Sequence, residues 1–411
     1  MKRLFTLLLA LAMILSMVAC TTTTGSTDTT DTSDTTAATD TTEASATEDT
    51  SATESEPIKI GWYGPLSGSA ASVGVCGETA VKLAISQINE AGGVLGRQIE
   101  LYEYDDEGTA ENSVKVVTRL VEENGVVAIV GSHLSGSVLA TTDITEAAHV
   151  VQVGCGTSKI WTNIGLQYTF RGTVNSALFV DGCYEAMVKM GATKVALICA
   201  ETEYSQTATD SLVSLIEAGG VMEIVDREEC TTGDTDYSGQ IIKMLAAEPD
   251  GVWVVAGGED VGKIVKQLRM KGYDGYIYGI EPFADKQLKE IAGEYADNVI
   301  FSCCYFVPDS IDDALSDAEK DFLTAYYDMY EKLPDSEVAY RAYDAMNILA
   351  QAIEIAGSTD GDAIRDAILT NTFTGIAGTF DFSDGSGDGI MFGTNYIIVD
   401  GKTIKLDDYQ G

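Results

Sequence analysis

From Ile58 onward the chain repeats one unit: a short apolar run, a turn, then a longer stretch with apolar residues at helical spacing. Ile58-Lys59-Ile60-Gly61-Trp62-Tyr63 reads as a strand and ends on the turn-forming pair Gly64-Pro65. Residues 78–90 place Val81, Leu83, Ala84, Ile85 and Ile88 on one helical face and stop at Gly92-Gly93. A strand over 98–104, a helix over 110–123 and a wholly apolar strand over 126–130 follow. The rhythm restarts with a helix over 177–190, a strand over 194–199 and a helix over 206–217, with further strands at 252–255 and 276–278. Strands that are apolar at every position must be covered on both faces, and helical crossovers bring such strands side by side in parallel. Helices predicted over 312–331, 337–356 and 362–369, and a Gly- and Asp-rich β tail from Gly378, complete the pattern. The expected fold class is α/β, with two similar Rossmann-like lobes built on parallel sheets and joined by multiple crossovers. One lobe is expected to comprise 57–174 and 305–378, the other 175–304 and 379–411. Two lobes also suit the length, since single cores rarely grow beyond ~250–300 residues.

The first 19 residues read as an address. Lys2 and Arg3 precede an apolar stretch over 4–18, and Met17-Val18-Ala19-Cys20 closes it with small residues and a cysteine. The apolar part is shorter than the roughly 20 residues a spanning helix needs. A cysteine at the cut site marks a bacterial lipoprotein signal, with Cys20 as the lipidated first residue. Residues 20–56 are then almost entirely Thr, Ser, Ala, Asp and Glu. Such a segment cannot bury enough apolar surface to offset its ordering entropy. It reads as a tether, spanning on the order of 30–40 Å, that holds a folded body outside the cell membrane.

The formal net charge of −39 repels phosphate backbones, so no nucleic-acid partner is expected. Seven cysteines follow Cys20 without any CxxC spacing, and there are two histidines, His133 and His149. No metal site, and no cofactor, is expected from that set. His133 stands two residues from Ser135, yet no G-x-S-x-G elbow accompanies it, and the Gly-rich loops lack both the G-x-G-x-x-G and Walker spacings. An amino-acid amide hydrolase is therefore the weaker rival, and the chain is read as a non-enzyme.

Three motifs in order, Ile60-Gly61 followed by Gly64-Pro65-Leu66-Ser67-Gly68, Ile88-Asn89-Glu90-Ala91-Gly92-Gly93-Val94-Leu95-Gly96, and Tyr104-Asp105-Asp106, carry a resemblance. The body resembles the leucine/isoleucine/valine-binding family of type I periplasmic binding proteins over nearly all of 58–400. The resemblance implies a monomeric solute-binding subunit that delivers an amino-acid-like ligand to ABC permease subunits. A second output of the same fold is sensing, with a membrane signalling partner in place of the permease.

The resemblance also implies site residues. Ser135, in Ser135-Gly136-Ser137, would hold the ligand carboxylate, while the Cys155 carbonyl and Thr157 hydroxyl would take the amino end. Tyr204 would fold over the ligand, and Glu281 would pair with the α-ammonium. Taken by residue type alone, Ser135 reads as a helix cap and Glu281 as an exposed loop carboxylate. Val73 stands where branched-chain binders carry a tryptophan, and Gly258 lies in a loop that carries tyrosines in those proteins. Both changes remove bulk, which Trp161 would be placed to restore. Arg171 and Asn175 match the first crossover, where the family more often has Asp than Asn175.

If Cys20 anchors the protein, the wild type sediments with membranes and Cys20→Ala is secreted or accumulates as unprocessed precursor. Fractionation that finds the wild type wholly soluble outside the cell contradicts the anchor.

Overall fold

The computed structural model describes residues 56–410, Asn163 and Met391 excepted. The expected signal, Cys20 and nearly all of the tether lie outside the described residues. The first sheet takes β1 (Ile58–Gly64), β2 (Ile99–Asp105), β3 (Ala128–Gly131), β4 (Val151–Gly154) and β5 (Thr169–Arg171), with α1 (Ala71–Glu90), α2 (Ala110–Arg119) and α3 (Ser135–Ala148) in the crossovers. Its order is β2-β1-β3-β4-β5, every neighbour parallel. Then come α4 (Ser176–Lys189), β6 (Lys194–Ala200), α5 (Glu203–Gly219), β7 (Glu223–Cys230), α6 (Ser238–Ala246), β8 (Gly251–Val255), α7 (Asp260–Met270), β9 (Tyr276–Gly279), α8 (Lys286–Ala292) and β10 (Val299–Cys303). These strands repeat the arrangement as β7-β6-β8-β9-β10, again parallel. The remainder is α9 (Asp317–Tyr330), α10 (Val338–Ala356), α11 (Gly361–Thr370), β11 (Thr372–Gly375), β12 (Gly378–Asp381), β13 (Thr394–Val399) and β14 (Lys402–Lys405). Strand β13 adds antiparallel to β10, and β14 to β13.

Burial explains the strand order. The inner strands β3, β4, β8 and β10 are buried at every position, whereas β2 and β7, at sheet edges, alternate with partly exposed residues. Helix starts follow local chemistry: Thr109, Asn175, Thr202 and Ser316 each accept a bond from a first-turn N–H of α2, α4, α5 and α9. Three spans differ from expectation. Helix α1 begins at Ala71, not at 78, because Ser72, Gly74 and Gly77 blur the apolar period. The 110–123 stretch splits into α2 and a π turn, Leu120–Asn124, which ends at left-handed Gly125. Helix α9 starts at Asp317, capped by Ser316, rather than at 312.

Return helices α9 to α11 pack against the first sheet's layer, α10 lying along α1. Hairpin β11–β12 pairs over Thr372–Asp381 and contacts α10. Phe170, Phe373, Phe380 and Phe382 join in one aromatic cluster beneath it. The chain therefore leaves this layer only beyond β12, and position 378 falls inside the hairpin.

The crossovers are tied together by one buried cation. Arg171, at the end of β5, is fully buried and donates Nε to Asp388 Oδ1 at 2.6 Å. Its Nη1 reaches the Gly156 carbonyl at 2.5 Å and its Nη2 the Ser158 carbonyl at 2.8 Å, while Trp161 stacks on the guanidinium at 4.0 Å. Asn175 Nδ2 donates to Asp388 Oδ2 at 2.9 Å. An aspartate at 175 would set a second carboxylate there instead, which accounts for the amide.

Close packing also shapes the loop that follows β1. A Cβ on Gly74 would stand 1.8 Å from the Pro65 carbonyl oxygen, so α1 is pressed onto the loop that leaves β1. Gly74→Ala is expected to cost about 1–3 kcal/mol through overpacking. A denaturant midpoint equal to wild type contradicts this close approach.

Candidate functional site

In open α/β sheets, the crevice at the carboxyl ends of the strands, where the strand order reverses, is the natural ligand site. A cavity of about 570 Å³ occupies that place between the two sheets. The loop after β1 brings Gly68 to Val73, the loop after β3 brings His133 to Ser137, and the loop after β4 brings Thr157. Opposite them stand Thr202 to Tyr204 after β6, Gly257 to Asp260 after β8, and Glu281, Pro282 and Asp285 after β9. The amino-terminal turn of α10 closes the floor with Glu337, Val338 and Arg341.

Six of the seven residues expected on the cavity line it: Val73, Ser135, Thr157, Tyr204, Gly258 and Glu281. Cys155 does not. Its side chain is buried in the core, and its carbonyl accepts from Nη1 of the lining residue Arg341 at 3.2 Å. Trp161 does not refill the space near Val73 either. It is fully buried outside the lining, against Arg171.

Two parts of the lining differ in polarity. Helix α3 has Leu134 at its cap with no side-chain bond, and its first intrahelical bond runs from Val138 N to the Leu134 carbonyl. The N–H groups of Ser135, Gly136 and Ser137 precede that bond, so a helix amino terminus meets the cavity with its partial positive charge. The Ser135 hydroxyl is not a cap; it accepts from Ser158 N at 3.1 Å and fixes the β4 loop against α3.

The other part of the lining carries carboxylates. Glu281 is 2 % exposed, accepts from the Thr157 hydroxyl at 2.5 Å through Oε1, and has no partner at Oε2. The Tyr204 hydroxyl is buried beside it, close enough for the two groups to interact, and among the described residues it makes no other side-chain hydrogen bond. Burial, with Glu281 adding to it, holds the Tyr204 phenol well above its usual range, so it stays neutral. A buried polar atom without a partner costs about 1–3 kcal/mol. Glu281 Oε2 is the acceptor left open, and the Tyr204 hydroxyl stands next to it.

Arg341 was not anticipated from the sequence. It forks onto Glu337, Nε to Oε2 at 2.6 Å and Nη2 to Oε1, and its Nη2 lies 3.9 Å from Glu281 Oε1. Burial works against the charge on Arg341, yet Glu337 and Glu281 outweigh it and hold the guanidinium charged. Burial also pushes Glu337 up, to about 8, against the pull of Arg341. The two-bond fork decides between these tendencies: the pair is ionised. One cation cannot neutralise three carboxylates, and Asp285, which accepts from Glu337 N at 2.8 Å, is pushed up to about 7 by burial. Desolvation, with Arg341 adding repulsion, pushes His133 down to about 3, so its imidazole is neutral. The one available signal for this cluster was Glu337, Arg341 and Asp344 embedded in the apolar run of α10.

The chain matches the family model described as periplasmic binding protein over residues 57–399. It is 28% identical over 334 residues to the leucine-, isoleucine-, valine-, threonine- and alanine-binding protein of Pseudomonas aeruginosa, covering 80% of this chain and 87% of that one. Among solved structures it resembles the branched-chain amino acid transporter substrate-binding protein LivJ of Streptococcus pneumoniae in complex with isoleucine. That match has a TM-score of 0.75 and 29% identity, and covers 84% of this chain and 97% of that one. An ABC-transporter solute-binding protein of R. palustris solved with benzoate shares the fold, with a TM-score of 0.77 at 19% identity, over 85% and 95% of the two chains.

Asp285 gives the site a pH signature. Its carboxyl is raised in the folded state above its ordinary 3.8, so the folded protein holds that proton more tightly. The resulting stability is present below about pH 4 and lost as pH rises through about 7, with a slope of up to about 1.4 kcal/mol per unit. Unfolding midpoints of the unliganded protein across this window are expected to fall less steeply in Asp285→Asn than in wild type. Identical slopes contradict the assignment.

Proposed function

The chain belongs to the periplasmic binding protein family, and from that membership we propose that it is the lipid-anchored solute receptor of an ABC importer, binding an amino acid between its lobes. One observation carries this reading: the buried Glu281, with no hydrogen-bond partner for its Oε2 among the described residues, lines the same cavity as the amino-terminal turn of α3. An α-amino acid brings the complementary pair, an ammonium for Glu281 and a carboxylate for the helix amino terminus. The named ligands of the Pseudomonas and Streptococcus relatives support the same class.

Ser135, Thr157, Tyr204 and Glu281 hold the ligand's α-groups, while Val73 and Gly258 leave room for its side chain. Cys155 acts one step back, through its carbonyl on Arg341. The lobes close about the crossovers near 172–175, 304–306 and 382–393. The protein works outside the cell as a monomer docking on permease subunits, tethered through Cys20 by the Thr- and Asp-rich segment, and performs no catalysis.

Glu281→Gln removes the charge and keeps the shape. A charge-assisted contact is worth about 1.5–3 kcal/mol, so calorimetry is expected to find the best amino acid bound about ten- to hundred-fold more weakly. Unchanged affinity removes Glu281 from the site.

A further inference from the structure

Two carboxylates, not one, reach from the second lobe onto the β4 loop. Thr157 donates its hydroxyl to Glu281 Oε1 at 2.5 Å, and the next residue, Ser158, donates its hydroxyl to Glu203 Oε1 at 2.6 Å. Thr207 also donates to Glu203 Oε1, at 2.9 Å. Each glutamate is thereby oriented through one oxygen, and each keeps its Oε2 buried without a partner. Both residues line the cavity.

The charges around them do not balance. Glu203, Glu259, Asp260, Glu281, Asp285 and Glu337 line the cavity, against Lys263 and Arg341. Lys263 is held by Glu259 at 3.2 Å and Asp260 at 3.3 Å, and Arg341 by Glu337. Among the described residues no side-chain cation pairs with Glu203. Arg171 acts on it only through space, committed as it is to Asp388 and two carbonyls. A zwitterion whose ammonium sits on Glu281 brings no net charge, and it leaves Glu203 as it was. A burial of that kind is costly unless a cation completes it.

We propose that the solute is a cationic amino acid, with its α-ammonium on Glu281 and the cation at the end of its side chain on Glu203. The proposal rests on the amino-acid reading above. The covalent path between the two anchoring hydroxyls limits the separation of the glutamate Oε1 atoms to roughly 14 Å. An extended diamino acid with a hydrogen bond at each end covers roughly 12 Å. The cavity has the volume for a long side chain, because Val73 is small and Gly258, at φ +54°, has no side chain atom within 3.9 Å of where its Cβ would stand.

Calorimetric titration of the purified full chain with lysine, ornithine and arginine, against leucine, glutamine and glutamate, tests this. At least one cationic ligand is expected to bind about ten-fold or more tighter than leucine or glutamine, with glutamate weakest. Glu203→Gln is expected to lower the cationic-to-leucine affinity ratio about ten-fold or more. Leucine, glutamine or glutamate as the tightest wild-type ligand overturns the cationic assignment and leaves the amino-acid reading standing. An unchanged ratio in Glu203→Gln does the same. No amino acid bound at all, or binding indifferent to Glu281→Gln, overturns both.

Discussion

Arg171 and Asp388 form the buried ion pair on which the cleft depends. Neither can be left alone in the interior, because an unpaired buried charge costs several kcal/mol. Together they join the end of β5 to the segment that follows β12, and Arg171 extends the tie to the Gly156 and Ser158 carbonyls. The β4 loop is thereby held from behind while its hydroxyls point forward to the two glutamates of the opposite lobe. Asn175 saturates the second oxygen of Asp388 and starts α4 in the same place. The geometry of the binding loop and the joint between the lobes are thus one network.

That network explains how carboxylates can stand in a cleft without a ligand. Hydroxyl bonds and Arg341 cover part of the charge, and the remaining cost is carried by raised proton affinity at Asp285 and by the open oxygens of Glu281 and Glu203. A ligand that supplies donors there recovers the desolvation already spent, while one supplying only methyl groups does not. In the proposed reading, specificity comes from these polar atoms as well as from the volume at Val73 and Gly258.

Most of the fold was legible because it rests on repeated local signals. Buried strands such as β3 and β8 are apolar throughout, and the end of α1 is marked by paired glycines. The caps Thr202 and Ser316 went unread, so α5 and α9 start at 203 and 317 rather than at 206 and 312. Helix α1 was read short because glycine and serine, chosen for its approach to Pro65, carry no apolar period. In the site, loop residues matched by family position were brought together at the cavity, Cys155 excepted. A motif identifies a residue, but not the partner its carbonyl takes, and that of Cys155 comes from α10, 186 positions away. Arg341, Glu337 and Asp285 were missed for the same reason: their meaning lies in three charges converging from separate elements. Glu203 carried no signal, standing ahead of the helix expected over 206–217, and it is the structure that puts it at the start of α5 and on the Ser158 hydroxyl.

The central claim is that the open oxygen of Glu281 receives the ligand's α-ammonium. A double-mutant cycle tests it most directly, pairing the tightest amino acid with its deaminated analogue, in wild type and in Glu281→Gln. If the two groups touch, each single change weakens binding, and making both costs little more than either alone, leaving a coupling energy above about 1 kcal/mol. Losses that simply add, with no coupling, would place the ammonium elsewhere and contradict the account.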